Sequence, residues 1–217
     1  MAQILVFGAS TAYGVGGPQG GWPDLLKSKL HSEMYQAGNA LPEAHEVYNL
    51  CVPGATIDDI SKRILIELKS FSKVGRKSIA VIELGGNDAK AVESADSFVN
   101  TPENFEQQLG SLVELAKQNV DEVILVGLQP VDEMKTLPRT NPTTGKKSYF
   151  SNSRMERFEK SIESIANAKN VAFVSVFSGA SKLNWIEEYL FVDGLHPNKN
   201  GHRWLYEQIY AVLGDFL

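Results

Sequence analysis

Ser10 stands in Phe7-Gly8-Ala9-Ser10-Thr11-Ala12-Tyr13-Gly14, directly after an apolar run that reads as a strand. A strand there delivers a hydroxyl to the carboxyl edge of a sheet. Such a hydroxyl can act as a nucleophile or cap the following helix, and this segment alone leaves both open. Near the other end, Asp193-Gly194-Leu195-His196-Pro197 places a carboxylate three residues before an imidazole. Gly194 permits a tight turn and Pro197 holds His196 outside the next helix, so the two side chains can meet. The carboxylate would then fix one ring N–H and stabilise the imidazolium, leaving the other nitrogen free to take a proton from a serine. An Asp capping its own turn beside a surface His remains the alternative.

Two internal segments offer what an acyl-transfer site also requires. Leu84-Gly85-Gly86-Asn87-Asp88 combines glycines, which let backbone approach a ligand, with an amide donor at Asn87. Asn49-Leu50-Cys51-Val52-Pro53-Gly54-Ala55 could turn the Gly54 N–H into the same crevice. With the N–H of Ser10, these donors would stabilise the charge of a tetrahedral intermediate, although ordinary turn chemistry explains either segment taken alone. The pentad Gly8-Ala9-Ser10-Thr11-Ala12 lacks the second glycine of a nucleophile elbow, and the serine follows the very first strand, so the α/β-hydrolase fold is disfavoured.

The elements that must position these residues alternate. Apolar runs rich in Val and Ile at Ile4–Phe7, Ser78–Leu84, Glu122–Leu128 and Val171–Phe177, with a weaker one at Glu46–Cys51, read as strands buried on both faces. Between them lie helical spacings such as Ile57, Ile60, Ile64, Leu68 and Phe105, Leu109, Leu112, Leu115. Strand–helix alternation implies right-handed crossovers and an α/β fold, a parallel sheet of about five strands covered by helices on both sides. Ligands on such sheets bind beyond the carboxyl ends of the strands. A closing helix is expected from Pro197, taken as its first position, to Leu213. The segment 129–152, rich in Pro, Thr, Ser and Asn, is the least regular and is expected to be a lid or pocket loop within a single domain of residues 1–217.

Gly8-Ala9-Ser10, Gly54, Gly85-Gly86-Asn87-Asp88 and Asp193-Gly194-Leu195-His196 resemble, in order, the four blocks of the SGNH (GDSL-type) hydrolases. The resemblance spans nearly the whole chain, and four blocks in register are far more specific than any one. It implies a three-layer α/β/α sandwich of the flavodoxin-like type and a serine esterase acting on small acyl esters. In that scheme Ser10 is the nucleophile, Ser10, Gly54 and Asn87 form the oxyanion hole, and His196 is the base oriented by Asp193. One departure stands out: Ala9 occupies the place where the family usually has Asp, which removes a carboxylate but no catalytic role. Asp88 is read as bracing its loop.

The remaining features are read structurally. His31, His45 and His202 have the context of surface or structural histidines, and no metal site emerges, since Asn49 stands where a His45-Glu46 zinc helix would need its second His. Gly145-Lys146 lacks the upstream glycine of a phosphate-binding loop, and no cofactor is implied. Trp22 either packs the first helix or lines the pocket, and Cys51, the sole cysteine of 217 residues, reads as a small buried hydrophobe. A net charge of -5 with scattered basic residues gives nucleic acid no electrostatic footprint. No stretch is apolar enough to enter a membrane, and a cytoplasmic location is expected. An acyltransferase on the same scaffold and a non-catalytic small-ligand-binding module are the competing readings.

Overall fold

In the computed structural model the strands in chain order are β1 (Ala2–Gly8), β2 (Glu46–Asn49), β3 (Lys77–Glu83), β4 (Ala91–Val92), β5 (Glu122–Val126), β6 (Arg139–Thr140), β7 (Lys147–Tyr149) and β8 (Ala172–Val174). Residues 1–36, 38, 44–141 and 143–217 are described. The main sheet has the order β2-β1-β3-β5-β8, and every pairing in it is parallel. Because the order reverses at β1, the carboxyl ends of β1 and β3 flank a switch point, the place where open α/β sheets bind ligands.

The continuous apolar runs are explained by burial on both faces. Leu5, Phe7, Ala80, Ile82 and Leu125 point to one face, against Ile64 and Leu68 of the helix Ile64–Phe71, Phe105 and Leu109 of Pro102–Lys117, and Phe158 and Ile162 of Asn152–Lys169. Their neighbours Ile4, Val6, Ile79, Val81 and Ile124 point to the other, against Trp22 and Leu26 of Trp22–Gln36 and Leu205 and Ile209 of Lys199–Leu213. The period-two alternation of the strands thus feeds two separate cores and produces the three layers.

β2 stops at Asn49, whose Oδ1 accepts from Cys51 N–H at 3.1 Å, two residues short of its apolar run; β5 and β8 are shorter than their runs predict for one shared reason. The buried carboxylate of Glu159, on the helix Asn152–Lys169, accepts hydrogen bonds from the N–H groups of Leu128 at 2.7 Å, Val176 at 3.1 Å and Phe177 at 2.9 Å. These donors leave the ladder, so β5 stops at Val126 and β8 at Val174. The closing helix also begins later than expected. Asn198 accepts from the N–H groups of Asn200 at 2.8 Å and Gly201 at 3.1 Å, which makes it the cap and places Pro197 before the helix.

The segment 129–152 is more ordered than its composition suggests, and Pro142 within it lies outside the described residues. It holds a short helix, Glu133–Thr136, and the strands β6 and β7, which pair antiparallel with each other and, through β7, with β4. Asn141 closes the turn between them, its side chain accepting from Thr143 and Thr144 N–H at 2.9 and 3.0 Å. Together these strands make a small second sheet beside the carboxyl end of the main one.

Candidate active site

β1 ends at Gly8, whose Cβ position lies 2.9 Å from the Glu83 carbonyl oxygen of β3, so only glycine lets the two strand ends approach this closely. The chain then enters the four-residue helix Ser10–Tyr13, closed by Gly14 in the left-handed region at φ 110°. Ser10 is the first helical residue, and its N–H is one of the orphan donors of a helix start. Its side chain does not cap. Ser10 Oγ lies 2.9 Å from His196 Nε2.

His196 comes from the turn before the closing helix. Asp193 Oδ1 accepts from the N–H groups of Leu195 and His196, each at 3.1 Å, and Gly194 sits at φ 71°, where a side chain would collide with Lys135 and Asp132. The turn brings Asp193 Oδ2 to 2.6 Å from His196 Nδ1. With a carboxylate on one ring nitrogen, the proton belongs on Nδ1, and Nε2 presents its lone pair to Ser10. Burial alone would raise the Asp193 carboxyl, yet the hydrogen bonds from the His196 ring and from the backbone of His196 and Leu195 prevail and hold it well below the usual carboxylate range. The carboxylate therefore stays charged wherever the imidazole has to accept a proton. Arg139 Nη2 adds a cation 3.5 Å from Asp193 Oδ2.

Gly54 and Asn87 line one groove with Ser10 and His196. Gly54 adopts φ 87° in the turn after β2, and no carbonyl among the described residues engages its N–H. Asn87 follows β3 in the helix Gly86–Ala89. Its amide is oriented at both ends: Nδ2 donates to the Ala55 carbonyl at 3.1 Å, and Lys90 Nζ donates to Oδ1 at 3.0 Å. An ammonium can only donate and a carbonyl can only accept, so this pairing fixes which end is NH2 and leaves its second hydrogen free. Asp88 is buried and accepts from Ile57 N–H at 3.2 Å and Asn100 Nδ2 at 3.3 Å, tying the Gly54 turn to the Asn87 loop as a brace. Ala9 packs against the core beside the cavity, and its carbonyl accepts from Tyr13 N–H at 2.9 Å.

Behind the nucleophile turn lies a cavity of about 40 Å³, walled on its apolar side by Leu84, Leu128, Phe150, Met155 and Leu195. In front lies an open groove of about 800 Å³. Both reach Ser10, Asn87 and His196. Glu83, at the end of β3, also borders the cavity; it is 4% exposed, and its Oε2 accepts from Trp22 Nε1 at 2.6 Å. Burial pushes the Glu83 carboxyl up to about 7 against the opposing pull of that hydrogen bond. Trp22 therefore belongs to the core and does not line the pocket.

The other histidines make structural contacts. His31 lies inside the helix Trp22–Gln36, edge-on to Tyr35; His45 Nδ1 accepts from Ala2 N–H at 3.2 Å; buried His202 donates through Nε2 to the Val15 carbonyl at 3.0 Å. Cys51 is buried, and burial pushes its thiol far above the ordinary range. Among the described residues no group of three or more His, Cys, Asp or Glu side chains is placed to hold a metal ion, and no helix is long and apolar enough to cross a membrane. Sequence reasoning passed over Glu83, Lys90 and Arg139. A charge ending the apolar run of β3 and a lysine one helical turn after Asn87 were legible signals, whereas Arg139 reaches Asp193 only through the tertiary fold.

Residues 6–204 match the model of the GDSL-like lipase/acylhydrolase family. No curated protein matches the chain. Among solved structures, the chain is similar to a lipase/acylhydrolase from Enterococcus faecalis, at 22% identity over 100% of this chain and 97% of that one, with a TM-score of 0.74. It is similar to TesA at 22% identity over 99% of each chain, with a TM-score of 0.69. A catalytic mutant of Axe2, an acetylxylan esterase from Geobacillus stearothermophilus, aligns at 19% identity over 98% of this chain and 94% of that one, with a TM-score of 0.70. At these identities the structural likeness speaks for the shared fold, including its five-stranded parallel sheet between helical layers.

Proposed function

Because the chain belongs to the GDSL-like lipase/acylhydrolase family and is thereby an SGNH-type ester hydrolase, we propose that it cleaves small acyl esters through Ser10, His196 and Asp193, with an acyl-enzyme intermediate. The observation that carries this reading is the unbroken chain of contacts from Asp193 Oδ2 to His196 Nδ1 at 2.6 Å and from His196 Nε2 to Ser10 Oγ at 2.9 Å. As Ser10 Oγ bonds to the ester carbonyl carbon, its proton passes to His196 Nε2, and Asp193 stabilises the imidazolium. The carbonyl oxygen takes the negative charge among the N–H groups of Ser10 and Gly54 and the free Nδ2 hydrogen of Asn87. Collapse of the tetrahedral intermediate breaks the bond to the alcohol, which leaves with the proton from His196. Water then gives a proton to His196 and its oxygen to the acyl carbon, releasing the acid and restoring Ser10.

The two spaces divide the substrate. A cavity of about 40 Å³ holds roughly three water-sized spheres, which suits an acetyl or similarly short acyl group. The alcohol half then lies in the open groove, whose size admits a sugar or another compact polar alcohol. An acetylated carbohydrate, the substrate class named for the Axe2 neighbour, falls within this description.

The test is hydrolysis of p-nitrophenyl acetate by the parent and by Ser10→Ala. Turnover is expected to vanish in the variant with its folding nearly unchanged, because a single groove-facing hydroxyl contributes little to stability. Equal rates would remove Ser10 from the mechanism.

A further inference from the structure

The groove in front of Ser10 has a charge opposite to that of the molecule around it. The chain carries 26 acidic against 21 basic residues. On the groove wall the ratio is reversed: among the described residues Lys90, Arg139, Lys146 and Lys147 stand against Glu93 as the sole carboxylate. Three of the four cations come from the β6–β7 hairpin, whose strands pair Thr140 with Lys147 and Arg139 with Ser148 and so carry the positive charge over the site as one unit.

These cations divide by what they already hold. Lys90 donates to Asn87 Oδ1 at 3.0 Å, and Arg139 lies 3.5 Å from Asp193 Oδ2, so both are engaged with the residues around the nucleophile. Lys146 and Lys147 are exposed, and among the described residues neither ammonium has an ion-pair partner. The two are adjacent and both line a groove that leads to a reactive centre. Such an arrangement raises the local concentration of an anion and steers its approach.

On this footing, which rests on the reading given under "Proposed function", we propose that the ester's alcohol half carries a negative charge, a phosphate or carboxylate group held by Lys146 and Lys147. The small cavity behind Ser10 is sized for a short acyl group and, among the described residues, is bordered by the Glu83 carboxyl and by no Lys or Arg, so the charge belongs to the half that occupies the groove. Lys146 and Lys147 are specificity-determining residues in this scheme, acting on the alcohol and not on the reacting carbonyl.

The experiment compares 4-acetoxyphenylacetate with neutral 4-acetoxyphenylacetamide, following phenol release. Both carry the same acyl group, and a methylene insulates the reacting ester from the distal charge. At low ionic strength the anion is expected to show kcat/KM higher by on the order of tenfold. The ratio should fall toward one in about 1 M salt, where screening acts over roughly 3 Å. It should also fall toward one in the K146A/K147A double variant and below one in K146E/K147E. Salt dependence in the parent keeps the test independent of whether either variant folds. Ser10-dependent cleavage of both esters with a ratio of one or less in the parent, or a ratio unchanged in the double variant, overturns the charge inference alone. If neither ester is cleaved faster by the parent than by Ser10→Ala, the esterase reading falls with it.

Discussion

Glu83→Gln isolates a single buried titration whose contribution to stability can be worked out in advance. The carboxyl ends β3 beneath the nucleophile turn, hydrogen-bonded to Trp22, and burial moves it from 4.5 to about 7. A folded-state value above the unfolded one means that the native protein binds the proton more tightly. Stability from this group is present below pH 4.5 and is lost as pH rises toward 7, because the unfolded chain ionises while the folded one does not. At about 1.36 kcal/mol per unit the full loss is on the order of 3 kcal/mol, most of which falls between pH 5 and pH 8. Gln keeps an acceptor for the Trp22 N–H and does not titrate. The assay is urea unfolding of parent and variant at both pH values, followed by fluorescence and circular dichroism. Other shifted groups, including Asp88 and His202, occur in both proteins and cancel. The parent should lose about 2–3 kcal/mol more than the variant on going from pH 5 to pH 8, roughly a 1 M difference in midpoint shift. A difference below about 0.5 kcal/mol, or one of opposite sign, would refute the argument that this carboxyl is folded neutral.

Asn87→Ala removes the amide held between Ala55 and Lys90, and kcat on p-nitrophenyl acetate should drop roughly 100- to 1,000-fold with the native circular dichroism retained. A loss under threefold would reduce Asn87 to a turn residue. Gly16→Ala drives a Cβ to within 2.3 Å of the Pro197 carbonyl oxygen, next to His196, whereas Gly75→Ala meets nothing within 4 Å although both glycines have positive φ. Thermal melts should show Gly16→Ala the more destabilising by about 1–3 kcal/mol and accompanied by lost activity. Equal melting temperatures for the two variants would show that the Gly16 loop yields freely.

The strands and their burial were legible because residues with apolar partners on both sheet faces leave unbroken Val- and Ile-rich runs, as in β1 and β3. Their ends were not, since Glu159 withdraws the N–H groups of Leu128, Val176 and Phe177 from thirty-one, seventeen and eighteen residues away in sequence, and no local pattern announces that. The four blocks carrying Ser10, Gly54, Asn87 and His196 stood out because tight turns demand glycine and reactive groups demand particular side chains. Arg139 facing Asp193 and the cations that the hairpin brings to the groove depend on how β6 and β7 fold back, so composition alone read that segment as irregular. The helix start at Lys199 turned on Asn198 outcompeting Pro197 as the boundary signal, a choice decided by side-chain geometry.

Reaction with a fluorophosphonate probe, read by intact mass and peptide mapping, addresses the convergence of Ser10 and His196 most directly. One adduct per chain on Ser10, abolished in His196→Ala, is the predicted result. Modification at another residue, or of Ser10 at an undiminished rate without the imidazole, would contradict it.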